Sequence, residues 1–248
     1  MTGAATTTTP ATDDGTHLSR LDRLVADLTG PQRQAVEHRG GPLLVVAGAG
    51  SGKTRVLTRR IGHLLATGDA TPFSILAITF TNKAADEMRA RVVELVGRGA
   101  ERMWVLTFHS ACLRLLRANA YRLGYEPGFT IYDDTDTRHV VEMLMREQGL
   151  DLRRLPPRAV TAAISTAKSQ LQGPDAYATD GFGAQDPYRT RIAGLYEQYE
   201  RRLRAANAMD FDDLLSNAVV LLRTCPDVLE HYRHRFRHVL VDEYQDTN

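Results

Sequence analysis

The run Ala47-Gly48-Ala49-Gly50-Ser51-Gly52-Lys53-Thr54 ends a glycine-rich stretch in a lysine and a hydroxyl. Glycines let successive backbone N–H groups turn inward around phosphate oxygens, and a helix opening at Gly52 adds its positive dipole end. In that setting Lys53 reaches the β and γ phosphates of ATP and the Thr54 hydroxyl ligates Mg²⁺. The first position is Ala47 where the general pattern has glycine, and a residue this small still fits. The bland alternative is a glycine-rich turn that only ends a strand. A second run, Val239-Leu240-Val241-Asp242-Glu243, is an apolar strand emptying into two adjacent carboxylates. Asp242 can hold Mg²⁺ through water, and Glu243 can orient or deprotonate an attacking water. Acidic residues commonly cap strands, so this run gains meaning only beside the phosphate loop.

Those two runs meet only if strands carry them to one edge. Leu43 to Ala47 is a short apolar run ending in glycines, as expected of a buried parallel strand, and a helix is predicted from Gly52 to Ala66. The alternation repeats with a strand at Ile75 to Phe80, a helix at Lys83 to Val96 and a strand at Met103 to Thr107. Strict alternation predicts a doubly wound α/β sheet, in which ligands collect at the carboxyl ends of the strands. Ahead of it, Thr29 offers an N-cap to a short helix carrying Gln32, Ala35 and Val36.

After His109 the pattern changes. Residues 111–205 read as a mostly helical insertion with one β-like piece at Phe129 to Tyr132 and a Gly-rich, Pro-containing loop around 173–187. The sheet pattern returns only at His238 to Val241. Residues 18–110 and 206–248 are thus expected to form one ATP-binding domain, with 111–205 as a subdomain inserted in it. Tyr196 and Tyr199 share a helical stripe with Ile192, Leu195 and Leu203, which predicts packing rather than base stacking. Asp210, Asp212 and Asp213 suit an N-cap and first helical turn better than a metal site. Residues 1–17, rich in Thr and nearly free of large apolar groups, cannot offset the entropy of ordering and are expected to be a disordered tail.

With 248 residues and a formal net charge of +1, the chain has no global nucleic-acid signature, so contact with DNA needs a local patch. Residues 98–122 hold five arginines against one acid, which reads equally as a phosphate-tracking face or a solvated helix surface. Of 31 basic residues only Lys53, Lys83 and Lys168 are lysines, a bias that lowers the weight of any single arginine. Cys112 and Cys225 lie in apolar helical patterns without CxxC spacing and are expected to be reduced core residues. Apolar stretches are too short to span a bilayer, so a cytoplasmic protein without membrane contact is expected.

Further runs occur in one order around the two phosphate-related ones: Gln32; Ile78-Thr79-Phe80-Thr81-Asn82-Lys83-Ala84-Ala85; Thr107-Phe108-His109-Ser110; Met209-Asp210-Phe211-Asp212-Asp213-Leu214-Leu215; and Asp242-Glu243-Tyr244-Gln245-Asp246-Thr247-Asn248. Over residues 28–248 they resemble the opening motifs of the UvrD/Rep branch of superfamily 1 DNA helicases. The resemblance implies a P-loop NTPase with a RecA-like parallel sheet, incomplete within these residues, and an ATPase that moves 3′ to 5′ on single-stranded DNA and unwinds duplex, in repair or replication. By matched position Gln32 reads the adenine, residues 47–54 hold ATP and Mg²⁺, Glu243 serves hydrolysis, and Gln245 couples the γ-phosphate to the DNA groove. Phe80, Asn82, Phe108 and His109 touch the single strand, in keeping with aromatic faces that stack on any base. Phe80 and Phe108 could instead be core, and His109 could merely cap the following helix.

The resemblance also implies a second motor domain beyond Asn248 and a further strand lying between Leu43–Ala47 and Val239–Val241. Residues 1–248 alone are therefore expected neither to unwind DNA nor to hydrolyse ATP at a useful rate. Leu106 departs from the glycine common before Thr-Phe-His. A helicase subunit of a recombination helicase-nuclease is the nearest alternative, disfavoured by Tyr244 where that group usually has Phe. A truncated product that only binds nucleotide or single strands is the other.

Overall fold

The computed structural model describes residues 20–179 and 186–247. The expected tail at 1–17 lies outside them. Two short helices, α1 (Arg20–Val25) and α2 (Gly30–Glu37), precede the phosphate loop, and α3 (Lys53–Ala66) follows it. Next come β1 (Ile75–Thr79), α4 (Asn82–Val96) and β2 (Trp104–Thr107), as the apolar alternation predicts. β5 (His238–Val241), separated from them by most of the chain, joins the same sheet.

The sheet order is β2-β1-β5, all parallel, with Leu76 beside Trp104 and Ile75 beside His238. Ile75, Ala77, Val105 and Leu240 lie on one face and pack with Ile61 and Leu64 of α3 and Met88 and Val92 of α4. On the other face Trp104 meets Tyr232 and Phe236, with the guanidinium of Arg114 4.4 Å from its ring centre. Helices on both faces fit the doubly wound expectation.

The expected strand at Leu43 to Ala47 does not form. This run is irregular and has no ladder partner among the described residues, and Leu44 and Val46 are 69% and 86% exposed. Among the described residues β5 is paired on one side only, and Val239 is 57% exposed. An apolar run becomes a buried strand only when its N–H and C=O groups find a ladder, and the strand that the resemblance puts between these two is not among the described residues.

Outside the sheet core, beside a small cluster of Leu24, Val25, Val36 and Val56 that joins α1, α2 and α3, lie two larger cores. α5 (Phe108–Asn119), α10 (Phe211–Thr224) and α11 (Pro226–Arg235) enclose Leu116, Phe129, Met209, Leu214 and Leu221. Cys112 and Cys225 both pack into this core as free thiols, and burial pushes the Cys112 thiol up to about 11. A thiol held that high stays protonated and inert. The other core joins α6 (Asp134–Glu147), α7 (Pro157–Ser169) and α9 (Pro187–Ala205) through Met145, Val160, Ile164, Leu195 and Tyr199. Tyr196 and Tyr199 are buried there, as their spacing predicts.

Between the two, β3 (Thr130–Tyr132) pairs in parallel with β4 (Ala208–Asp210). β4 has no counterpart in the sequence reading: Ala-Met-Asp carries none of the β-branched and aromatic residues that mark Thr130-Ile131-Tyr132. Part of the expected loop at 173–187 is helical, since Pro174 opens α8 (Pro174–Thr179), and residues 180–185 of it lie outside the described residues. No described helix is long and apolar enough to cross a membrane.

Candidate functional site

α3 starts immediately after the glycine-rich run, with Gly50 and Gly52 at φ 75° and 86°, a backbone region that disfavours any side chain. Ser51 donates from both its N–H and its hydroxyl to the Gly48 carbonyl, at 3.3 and 2.7 Å. Lys53 Nζ lies over the loop, donating to the carbonyls of Ala47 (3.1 Å) and Gly48 (3.4 Å). An ammonium satisfied only by neutral carbonyls at an exposed loop is ready to exchange them for a phosphate oxygen, a stronger acceptor.

Thr54, one residue into α3, donates its hydroxyl to Asp242 Oδ2 at 3.0 Å. This contact spans nearly the whole chain and joins the two phosphate-related runs. Asp242 is buried, and its N–H donates to the Ile78 carbonyl at 2.9 Å, which extends the β1–β5 ladder by one bond. Its second oxygen, Oδ1, accepts the Glu243 N–H at 3.1 Å. A hydroxyl and a carboxylate at this separation form a hard-oxygen pair that fits Mg²⁺. The described residues offer no cluster of three or more His, Cys, Asp or Glu for a metal, and an Mg²⁺ ion held by this pair would draw its remaining ligands from water and phosphate, as Mg²⁺ commonly does.

Glu243 occupies the left-handed region (φ 51°, ψ 48°), uncommon for a residue with a Cβ. Strain of this kind costs of order 1–3 kcal/mol and persists where surrounding structure enforces it. Here the strand end before it and the short 3₁₀ turn Tyr244–Asp246 after it hold the backbone. Gln245 Nε2 donates to Glu243 Oε2, so these two candidate residues are in direct contact.

Gln32 is brought to the same loop. Its Nε2 donates to the Ser51 carbonyl at 3.0 Å, while its Oε1 accepts the Thr29 N–H at 3.0 Å. Arg60 of α3 fixes the far end of the same helix: its Nη1 donates to the carbonyls of Ala35 (3.1 Å), Val36 (3.2 Å) and His38 (2.9 Å). Arg60→Ala leaves these helix-end acceptors without a donor and is expected to lower stability by roughly 1–3 kcal/mol, read as a drop in melting temperature.

The ends of β1 and β2 form a second feature. A cavity of about 500 Å³ is lined by Phe80, Asn82, His109 and Phe211 at its mouth and by Leu113 and Leu214. Phe80 is 61% exposed and His109 is exposed, so neither is core. Nor does His109 cap its helix: Thr107 does so, accepting the Ser110 N–H at 3.2 Å. Phe108 is half-buried and does not line the cavity. Successive helical residues point about 100° apart, and at the start of α5 it is His109 and Ser110 that turn toward the cavity. Phe211, absent from the sequence-based candidates, is 47% exposed and stands edge-on to His109, centroids 6.1 Å apart at 84°. Its signal was a large aromatic placed inside an acidic cap, where a helix start gains nothing from one.

Residues 28–248 match the UvrD/REP helicase N-terminal domain. The chain belongs to the UvrD/REP helicase family. It is 52% identical over 231 residues to the ATP-dependent DNA helicase UvrD1 of Mycobacterium tuberculosis, covering 93% of this chain and 30% of that protein. UvrD1 of Mycobacterium leprae is 50% identical over 239 residues (96% and 31%), and PcrA of Staphylococcus aureus 45% over 228 residues (92% and 31%). The chain thus spans about 30% of the length of these UvrD/REP relatives. Its three-strand parallel sheet with helical insertion is the α/β arrangement expected of a RecA-like P-loop NTPase domain.

Proposed function

We propose that this chain is the ATP-binding part of a UvrD/REP DNA helicase that moves 3′ to 5′ on single-stranded DNA and separates duplex. The carrying observation is that the Thr54–Asp242 pair and the Phe80–His109 cavity stand at the carboxyl edge of one parallel sheet. β1 contributes to both: Ile78 anchors Asp242, and Phe80 follows its last residue. One strand therefore links the nucleotide site directly to the DNA groove.

In this reading residues 47–54 cradle the phosphates, Lys53 meets the β and γ phosphates and Gln32 reads the adenine. Thr54 and Asp242 hold Mg²⁺, which when bound neutralises charge on the phosphate oxygens. Glu243 takes the proton of the attacking water, and Gln245, bonded to Glu243, reports the γ-phosphate to the groove. Phe80, Asn82, His109 and Phe211 line the cavity and hold the single strand, with Phe108 joining them from the first position of α5. The ATP-binding unit comprises residues 18–110 and 206–248, and 111–205 form the helical insertion; the apolar core of α6, α7 and α9 supports this for the insertion's later part, whereas Leu116 and Phe129 share a core with Leu214 and Leu221. The second half of the motor would come from a further domain, as the relatives' greater length allows.

Phe80→Ala and His109→Ala in the full-length protein test the groove. Each is expected to weaken single-strand binding by roughly 1–3 kcal/mol, the worth of one base stack, while basal ATPase stays nearly intact. Oligo-dT anisotropy and turnover without DNA provide the readouts. Unchanged DNA affinity in both variants would remove the cavity from the DNA path.

A further inference from the structure

Lys168 lies in α7 of the helical insertion, and its side chain is 2% exposed. Its ammonium donates to Asp210 Oδ2 at 2.7 Å and Asp213 Oδ1 at 2.8 Å, and pairs with Glu200 Oε1 at 2.7 Å. The two aspartates are the capping box of α10. Asp210 Oδ1 accepts the Asp213 N–H at 2.8 Å, and Asp213 Oδ2 accepts the Asp210 N–H at 3.1 Å. Tyr199 of α9 adds its hydroxyl to Asp210 Oδ2 at 2.8 Å. Every oxygen of the box is thus engaged, the inner pair by the backbone of α10 and the outer pair by the insertion. Desolvation works against the buried ammonium, but Asp213, Asp210 and Glu200 outweigh it and hold Lys168 protonated.

Phe211 is the first residue of α10, held between the two clamped aspartates. The box fixes the backbone at Phe211, and with it the point and direction at which the side chain leaves the helix start beside His109. Composition points the same way. In a chain with three lysines among 31 basic residues, Lys53 is in the phosphate loop and Lys83 adjoins Asn82 of the cavity; Lys168 is the third. An ammonium is a compact charge that fits among three carboxylates, whereas a guanidinium is planar and longer and cannot take the same place.

We infer that Lys168 is a positioning residue for the single-strand groove: through the Asp210–Asp213 capping box it aims Phe211, and so makes the helical insertion a determinant of DNA grip. This rests on the groove reading above. Movement of α7 relative to α10 would change DNA affinity without touching the nucleotide residues.

The test is a double-mutant cycle in the full-length protein with Lys168→Arg and Phe211→Ala, read by oligo-dT anisotropy, fluorescent ATP-analogue binding and melting temperature. Phe211→Ala is expected to weaken DNA binding about tenfold, one stacking contact, and Lys168→Arg by a similar factor with nucleotide affinity unchanged. In the Phe211→Ala background Lys168→Arg should then cost less than about twofold, because coupled residues are not additive. Should Lys168→Arg fail to fold, Tyr199→Phe removes one hydroxyl from the box and is expected to cost about threefold in DNA affinity, again only when Phe211 is present. Additive losses, or full DNA affinity in Lys168→Arg and Tyr199→Phe while Phe211→Ala and Phe80→Ala lose it, overturn the inference and leave the groove standing. Full affinity in all the ring variants overturns the groove itself.

Discussion

Lys53→Ala in the full-length protein is expected to lower ATP turnover by roughly 10²- to 10³-fold, the scale for removing one preorganised charge donor from a phosphoryl-transfer site. Nothing near it can substitute. The loop's other contributions are backbone N–H groups, and the neighbouring Arg55 points away, into an ion pair with Asp27. Lys53 bonds only to its own loop, so its loss leaves no buried charge unpaired and the fold should survive. Steady-state ATPase beside a thermal melt decides it: turnover at the normal rate would show that Lys53 does not meet the phosphates.

Glu243→Gln separates binding from chemistry. The amide keeps the shape and its contact with Gln245 but cannot take a proton, so hydrolysis should fall by roughly 10²- to 10⁴-fold, the usual contribution of a general base. ATP affinity should hold, because Lys53, Thr54 and Asp242 are untouched. An isotherm and a single-turnover measurement read the two quantities. If binding vanishes together with turnover, the left-handed turn at Glu243 is what the carboxylate serves, and its role is structural.

Both halves of the nucleotide site are legible in the sequence because each is a run of adjacent residues whose types carry the chemistry. Their meeting is less so: the 3.0 Å contact between Thr54 and Asp242 depends on parallel pairing that only strand order can supply. The strand at Leu43 to Ala47 fails for the converse reason, since composition marks a segment fit for burial and cannot state whether a ladder partner is present. Phe108 and His109 look equivalent in the sequence, and the helix that starts between Thr107 and Phe108 gives them different faces. Lys168 is the least legible of these residues. A lone lysine in a helix looks like surface until its partners 42 and 45 positions later fold back beneath it. Its rarity among arginines was the signal available.

The sheet order bears on how the molecule is made. β1 meets β2 after one helix, but its other edge must wait for β5, which lies beyond the entire insertion, with Ile75 finally beside His238. At about 5–20 residues per second of synthesis, that wait is on the order of ten seconds, during which an apolar strand edge is open to the wrong neighbour. The insertion shortens the problem by folding around its own core and pairing Thr130 with Ala208, so that β5 closes a shorter effective loop. Thr54 finds Asp242 only after this closure. A nascent chain thus completes the Thr54–Asp242 pair only when the sheet has received its late strand.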